Sequence, residues 1–159
     1  FSIHCFCYSY PMSDLVFNKK AGFNYEITDT LTAGIELFGF EVKALRKNQG
    51  SLGGAYVLVR GGEAYLIGMQ IPSFQMNNTP KEYDERRERR LLLTKTEINS
   101  LAGHKNQAGL TAVPISVYNI GRKIKVKIGL VKSKKKFDKR EVIKKRETDR
   151  DIRRDFKDR

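Results

Sequence analysis

The last 27 residues, 133–159, carry 20 charged side chains, five apolar ones, and neither Gly nor Pro. A segment that polar cannot bury enough surface to repay its own ordering. Any core this chain builds must come from the residues before it. The charge itself is also lopsided. Residues 121–159 hold 18 Lys and Arg against 7 Asp and Glu, whereas residues 1–120 hold 13 against 11. Nearly all of the formal charge of +13 therefore sits in the last quarter. Such asymmetry is the footprint of a phosphate-rich partner, because neutralising phosphates releases counterions. The plainer alternative is a solubilising tail. A membrane-surface anchor needs a broad apolar face, and the tail offers only Phe137, Val142, Ile143, Ile152 and Phe156.

Several function classes are disfavoured by inventory. No window approaches the run of about 18 apolar residues that a spanning helix needs. The two cysteines, Cys5 and Cys7, make neither a disulfide framework nor a four-thiolate metal site. His4 and His104 are the only histidines. There is no phosphate loop ending in Lys-Ser or Lys-Thr, no paired-histidine motif and no nucleophile elbow. The expectation is a non-enzyme with no metal and no cofactor. A nuclease is the enzyme alternative.

Residues 1–11, Phe-Ser-Ile-His-Cys-Phe-Cys-Tyr-Ser-Tyr-Pro, differ from the rest in being aromatic and lacking Lys, Arg, Asp and Glu. They lack the positive start and small-residue cleavage site of a secretory signal. Met12 is read as the initiator, with 1–11 a spurious or disordered leader, so that the remaining chain has no cysteine and suits a reducing cytoplasm.

From Phe23 to Leu130 the pattern is mainly that of strands. Phe23–Ile27 alternates with period two, and Gly34–Gly39 is a second short candidate. Glu41–Arg46 reads as a short helix or turn ended by Gly50. Ala55–Arg60 and Glu63–Ile67 form a hairpin across Gly61-Gly62. Arg90–Leu93 reads as a buried strand or the start of a helix. Thr94-Lys95-Thr96-Glu97 is a capping box, predicting a helix from about Lys95 to Gln107. A long second hairpin runs from Thr111 to Tyr118 and from Arg122 to Val131, connected by Asn119-Ile120-Gly121. In its second arm Ile124, Val126, Ile128 and Leu130 alternate with Lys123, Lys125, Lys127 and Gly129, a half-buried strand with a lysine-lined outer face. The fold class expected is mainly β: an OB-fold-like closed antiparallel barrel of about six strands over residues 12–131, with two to three flanking helices. Residues 132–159 form the basic tail, disordered when free and helical on an acidic partner.

Two basic constellations stand out. Arg86, Arg87, Arg89 and Arg90 precede a Leu triplet, and guanidinium groups grip phosphates and stack on bases. The alternative is a solvated loop balanced by Asp84, Glu85 and Glu88. Lys132, Lys134, Lys135 and Lys136, followed by Asp138-Lys139-Arg140, form the densest positive run, in which Asp138 could also cap a helix.

These residues together resemble the small protein B family, the SsrA-binding proteins of bacterial trans-translation. The likeness runs from about Asn18 to the C-terminus. It is carried by Asn18-Lys19-Lys20-Ala21, Ala33-Gly34-Ile35, Glu41–Arg46, Arg89-Arg90-Leu91-Leu92-Leu93, Lys125-Val126-Lys127 and Lys134-Lys135-Lys136-Phe137-Asp138-Lys139-Arg140, in that order along the chain. The resemblance implies an OB-fold protein that binds the tRNA-like domain of transfer-messenger RNA. It implies delivery of that RNA, with elongation factor Tu as an indirect partner, to ribosomes stalled without a stop codon. Membrane and DNA are not expected partners. By position it implies an RNA-contacting surface of Asn18, Lys19, Lys20, Arg87, Arg89, Leu92, Lys127, Lys132, Lys134, Lys135, Lys136, Asp138, Lys139 and Arg140. It further implies a tail in the empty mRNA channel of the small subunit, with Arg150, Ile152, Arg153 and Arg154 in the decoding region. Departures occur at Thr32, where the family usually has Glu, at Ser51 and Gly54, at Glu85 and Glu88, and at Ser133. The runner-up is a structural ribosomal component whose basic tail threads into ribosomal RNA.

Overall fold

The computed structural model describes residues 13–74, 80, 82–105, 110–134 and 148. In chain order the elements are β1 (Ser13–Phe17), α1 (Lys19–Asn24), β2 (Tyr25–Ile35), α2 (Gly39–Arg46), β3 (Tyr56–Arg60), β4 (Glu63–Ile67), β5 (Arg89–Leu92), α3 (Lys95–Lys105), β6 (Leu110–Ile120) and β7 (Lys123–Ser133). The seven strands make one antiparallel sheet in the order β1-β6-β7-β2-β5-β4-β3.

The local reasons are legible. Glu97 accepts from the Thr94 backbone N–H at 2.8 Å, while the Thr94 hydroxyl accepts from the Glu97 N–H at 3.4 Å, closing the capping box that starts α3. The β3–β4 hairpin turns through Gly61 and Gly62 with φ of 62° and 75°, the left-handed values a two-residue primed turn requires. The β6–β7 hairpin pairs Ile120 with Lys123, so its turn is Gly121-Arg122, two residues later than the sequence pattern placed it. Along β7, Ile124, Val126, Ile128 and Leu130 are buried while Lys123 and Lys127 are exposed, the alternation expected of it.

Four expectations are corrected. The first concerns closure: the sheet is open, with seven strands rather than about six. It curls until β3 lies against β6, but among the described residues no backbone pair joins them. Side chains fill that seam instead. Tyr56, Val59, Leu101, Leu110, Ala112 and Leu130 line a cleft there of about 300 Å³. The second is β1, which the sequence reading left unassigned and which pairs with β6 over Ser13–Phe17. The third is α1, which takes in Phe23 and Asn24, the start of an expected strand, together with residues 19–22, for which no element was expected. Its burial rests on Ala21, packed with Val113 and Val131 in a small second cluster. The fourth is β2, one 11-residue strand where two short ones were expected. Its first half is mostly exposed, so burial leaves no alternating signature there; pairing with β7 holds it.

The main core lies on the concave side of the curl. Ala33, Val117, Val126 and Ile128 come from the long strands, Leu66 and Leu91 from β4 and β5, and Leu45, Leu52, Met69 and Ile71 from α2 and the connections. The opposite, convex side of β1, β6, β7 and β2 carries α1 at one end, where Ala21 packs with Val113 and Val131, and the exposed Phe17, Thr32 and Lys127 elsewhere.

Candidate nucleic-acid interface

The arginine cluster turns inward. Glu41, on α2, is completely buried, as is Arg89 on β5. Arg89 donates from Nε and Nη2 to Glu41 Oε1 at 3.0 and 2.8 Å. Its remaining donors go to the carbonyls of Met69 at 2.6 Å, Glu85 at 2.9 Å and Arg87 at 3.1 Å, and to the Tyr83 hydroxyl at 3.2 Å. Arg87 grips the same carboxylate, with Nη2 at 2.6 Å from Oε2 and Nε at 3.0 Å from Oε1. Its guanidinium lies 4.1 Å from the Phe38 ring centroid, a cation–π contact. Burial alone would raise the Glu41 carboxyl, but the Arg87 hydrogen bond, the Phe38 N–H, the Arg89 charge and the Tyr83 hydroxyl together hold it below the usual range. Tyr83 moves the other way, to about 12, through burial and its bond to Glu41.

Arg89 is thus corrected from an RNA contact to an interior ion: every donor is committed and the side chain has no exposed surface. Arg87 is about three-quarters buried in the same knot. The outer arginines are paired too, Arg90 with Glu63 at 2.8 Å and Arg60 with Glu88 at 3.1 Å. The loop is charge-balanced, but chiefly by a carboxylate from α2 that neither sequence alternative considered.

The lysines turn outward. Paired residues in an antiparallel sheet share a face, and Val16, Val117, Val126 and Ala33 form a row on the core side. Their sequence neighbours therefore lie on the opposite face: Phe17, Ser116, Lys127 and Thr32 in one row, and Asp14, Tyr118, Lys125, Gly34 and Leu92 in another, with Ser116 and Tyr118 themselves buried. Thr32 Oγ1 lies 3.2 Å from the Tyr118 hydroxyl, tying the two rows together across β7. Lys127 is exposed and Lys125 half-buried. Phe17 and Leu92, each 56% exposed, flank them. Among the described residues, every ion pair uses an arginine and none uses a lysine.

The far end of β7 reaches α1. The Lys134 backbone N–H donates to Asn24 O and its Nζ to Gly22 O, both at 3.0 Å. That brings the exposed Lys132 and the half-buried Lys134 near the exposed Lys19 and Lys20. Asn18 does not join them as a surface group. It is 6% exposed, and its Nδ2 donates to Pro114 O at 3.1 Å and Leu52 O at 3.3 Å. It is corrected to a buried staple at the wall of a mixed cleft of about 480 Å³, shared with Lys20, Asn24, Tyr25, Tyr56 and Thr111. Lys135, Lys136, Asp138, Lys139, Arg140, Arg150, Ile152, Arg153 and Arg154 lie outside the described residues.

Sequence reasoning did not single out Phe17 as a surface residue. It becomes readable only from strand parity, and parity required a strand at Ser13–Phe17 that carries little alternation of its own. Among the described residues no helix is long and apolar enough to cross a membrane.

The family described as SmpB protein matches residues 15–158. An SsrA-binding protein of Elusimicrobium minutum is 49% identical over 140 residues, 88% of each chain. That of Gloeothece citriformis is 45% identical over 140 residues, 88% of this chain and 90% of the relative. A solved structure described as "tmRNA-SmpB: a journey to the center of the bacterial ribosome" shares 38% identity, with a TM-score of 0.64 over 80% of this chain and 87% of that one. The open sheet with its lysine-bearing convex face therefore belongs to a member of the SmpB protein family.

Proposed function

We propose that this protein is an RNA-binding adaptor, not an enzyme, that binds the tRNA-like domain of transfer-messenger RNA and delivers it to stalled ribosomes for trans-translation. The names of its relatives and the tmRNA-SmpB neighbour support the partner. The observation in the molecule itself that carries the reading is the convex face of β7 and its neighbours. There, lysines form no ion pair among the described residues and stand beside exposed apolar side chains, whereas Arg87 and Arg89 are neutralised from within.

The mechanism follows from that division. Lys125 and Lys127 on the sheet, with Lys19, Lys20, Lys132 and Lys134 at its end, meet phosphates of a folded RNA as mobile point charges. The sheet supplies a fixed surface that selects shape over sequence. Residues 132–159 form a second unit, whose helical form arises in the mRNA channel, with Arg150, Ile152, Arg153 and Arg154 near the decoding region. Elongation factor Tu is engaged through the RNA. The setting is the cytoplasm, where ribosomes work.

Sequencing the RNA that co-purifies with the chain tests the partner: one dominant transfer-messenger RNA is expected, and ribosomal RNA alone would point to a structural ribosomal component instead. Truncation after Arg140 tests the division. RNA affinity in a binding assay should stay within about twofold, while tagging on stalled ribosomes should be abolished. Loss of RNA binding with the sheet still folded would show that the two units are not separable.

A further inference from the structure

Phe17 is the last residue of β1, the edge strand of the sheet. Its ring is 56% exposed and belongs to neither apolar cluster. Register places it on the convex face, in one row with Ser116, Lys127 and Thr32. Two strand spacings separate it from Lys127, about 10 Å between backbones, and the long lysine stem spans part of that gap. On the other flank of the lysines stands Leu92, equally exposed. An exposed aromatic ring at the rim of a cationic sheet face is the arrangement by which sheets hold unpaired bases, with the base on the ring and the backbone phosphate on the cation.

We infer that Phe17 is a stacking platform for an unpaired nucleobase of the bound RNA, whose adjoining phosphate lies at Lys127. The assignment rests on the RNA-binding function proposed above and adds a contact that charge alone does not provide. Ser116, the residue paired between the two, is buried and uncharged, so no acidic side chain stands between the ring and the ammonium in this row. Asp14, the acidic side chain on this face of β1, sits in the next row, opposite Tyr118. The contact is selective for single-stranded over paired nucleotides, because a base within a duplex offers no free face to the ring.

The test uses the full chain and a transcript of the tRNA-like domain of transfer-messenger RNA. Phe17→Ala should weaken binding about tenfold, with the slope of log affinity against log salt unchanged, since no phosphate contact is lost. Lys127→Ala should weaken binding and lower that slope. The chain has no tryptophan, so Phe17→Trp creates a single reporter at the site. Its emission should be quenched as the transcript is added, and its affinity should match that of the unaltered chain. Unaltered affinity of Phe17→Ala, or tryptophan emission that stays constant while independent binding saturates, would overturn the assignment and leave the proposed function standing. Failure of the unaltered chain to bind the transcript would overturn both.

Discussion

The loop before β5 and the outer face of β7 carry the same sign of charge and use it in opposite ways. At the end of that loop, Arg87 and the first residue of β5, Arg89, converge on one carboxylate, Glu41, and Arg89 spends every donor inside the protein. On the face, Lys125 and Lys127 alternate with Val126 and Ile128, which anchor the strand from beneath. The difference is a matter of counter-ions and side-chain chemistry. A guanidinium is planar, weakly hydrated and forked, so it can be buried against a carboxylate and several carbonyls at once. An ammonium is strongly hydrated and stays where water, or a phosphate, can reach it. A cluster of arginines in a sequence is therefore no safer a sign of an anion-binding surface than a lysine on every second residue of a strand.

The comparison can be broken most forcefully at Glu41. Glu41→Gln leaves Arg89 buried with its countercharge removed and should cost about 3–5 kcal/mol of folding stability, read from urea or thermal unfolding. A loss below about 1 kcal/mol would mean that the knot is not what holds α2 to β5. The same carboxyl makes stability depend on acid. Its folded-state pKa lies below its unfolded value, so its contribution is complete above the ordinary carboxylate range and is lost as pH falls through the lower, folded value. In Glu41→Gln that part of the acid sensitivity should vanish.

Charge reversal on the face should do the opposite. Lys125→Glu with Lys127→Glu should reduce affinity for the tRNA-like domain by at least tenfold, by losing phosphate contacts and adding repulsion, while changing the unfolding midpoint little. A folded double variant that still binds RNA normally would remove the face from the interface. The smallest effect sharpens the contrast. Glu63→Gln releases Arg90 from an exposed pair, and such pairs contribute about 0–1 kcal/mol. Stability should barely move, and RNA affinity should rise slightly, if at all. A marked increase would show that the arginine loop competes for RNA once its carboxylates are gone.

The parts of this molecule that were legible in sequence share a physical property: the signal is local. The two-glycine turn, the Thr94–Glu97 box and the lysine alternation of β7 each depend on residues a few positions apart. What was not legible depends on distant pairing. β2 runs as one strand because β7 lies beside it, although its first half is mostly exposed. β1 is a strand because β6 has an open flank for it. Closure of the sheet into a barrel failed because the β3–β6 seam is filled by side chains rather than backbone bonds, which no periodicity records. At the site, resemblance by position marked Asn18 and Arg89 together with Lys127 and Leu92. Burial then separated them, since the first two are sealed by partners 34 to 96 residues away. Phe17 was invisible for the reason β1 was.

The central claim is that the lysines of the convex face, and not the arginines of the loop, meet the phosphates. The salt dependence of binding to the tRNA-like domain tests it most directly, compared among the unaltered chain, Lys125→Ala with Lys127→Ala, and Arg87→Met, each confirmed folded. The account predicts that the slope of log affinity against log salt falls by about one for each lysine removed and stays unchanged in Arg87→Met. A slope that falls in Arg87→Met and is untouched in the lysine variant would contradict it.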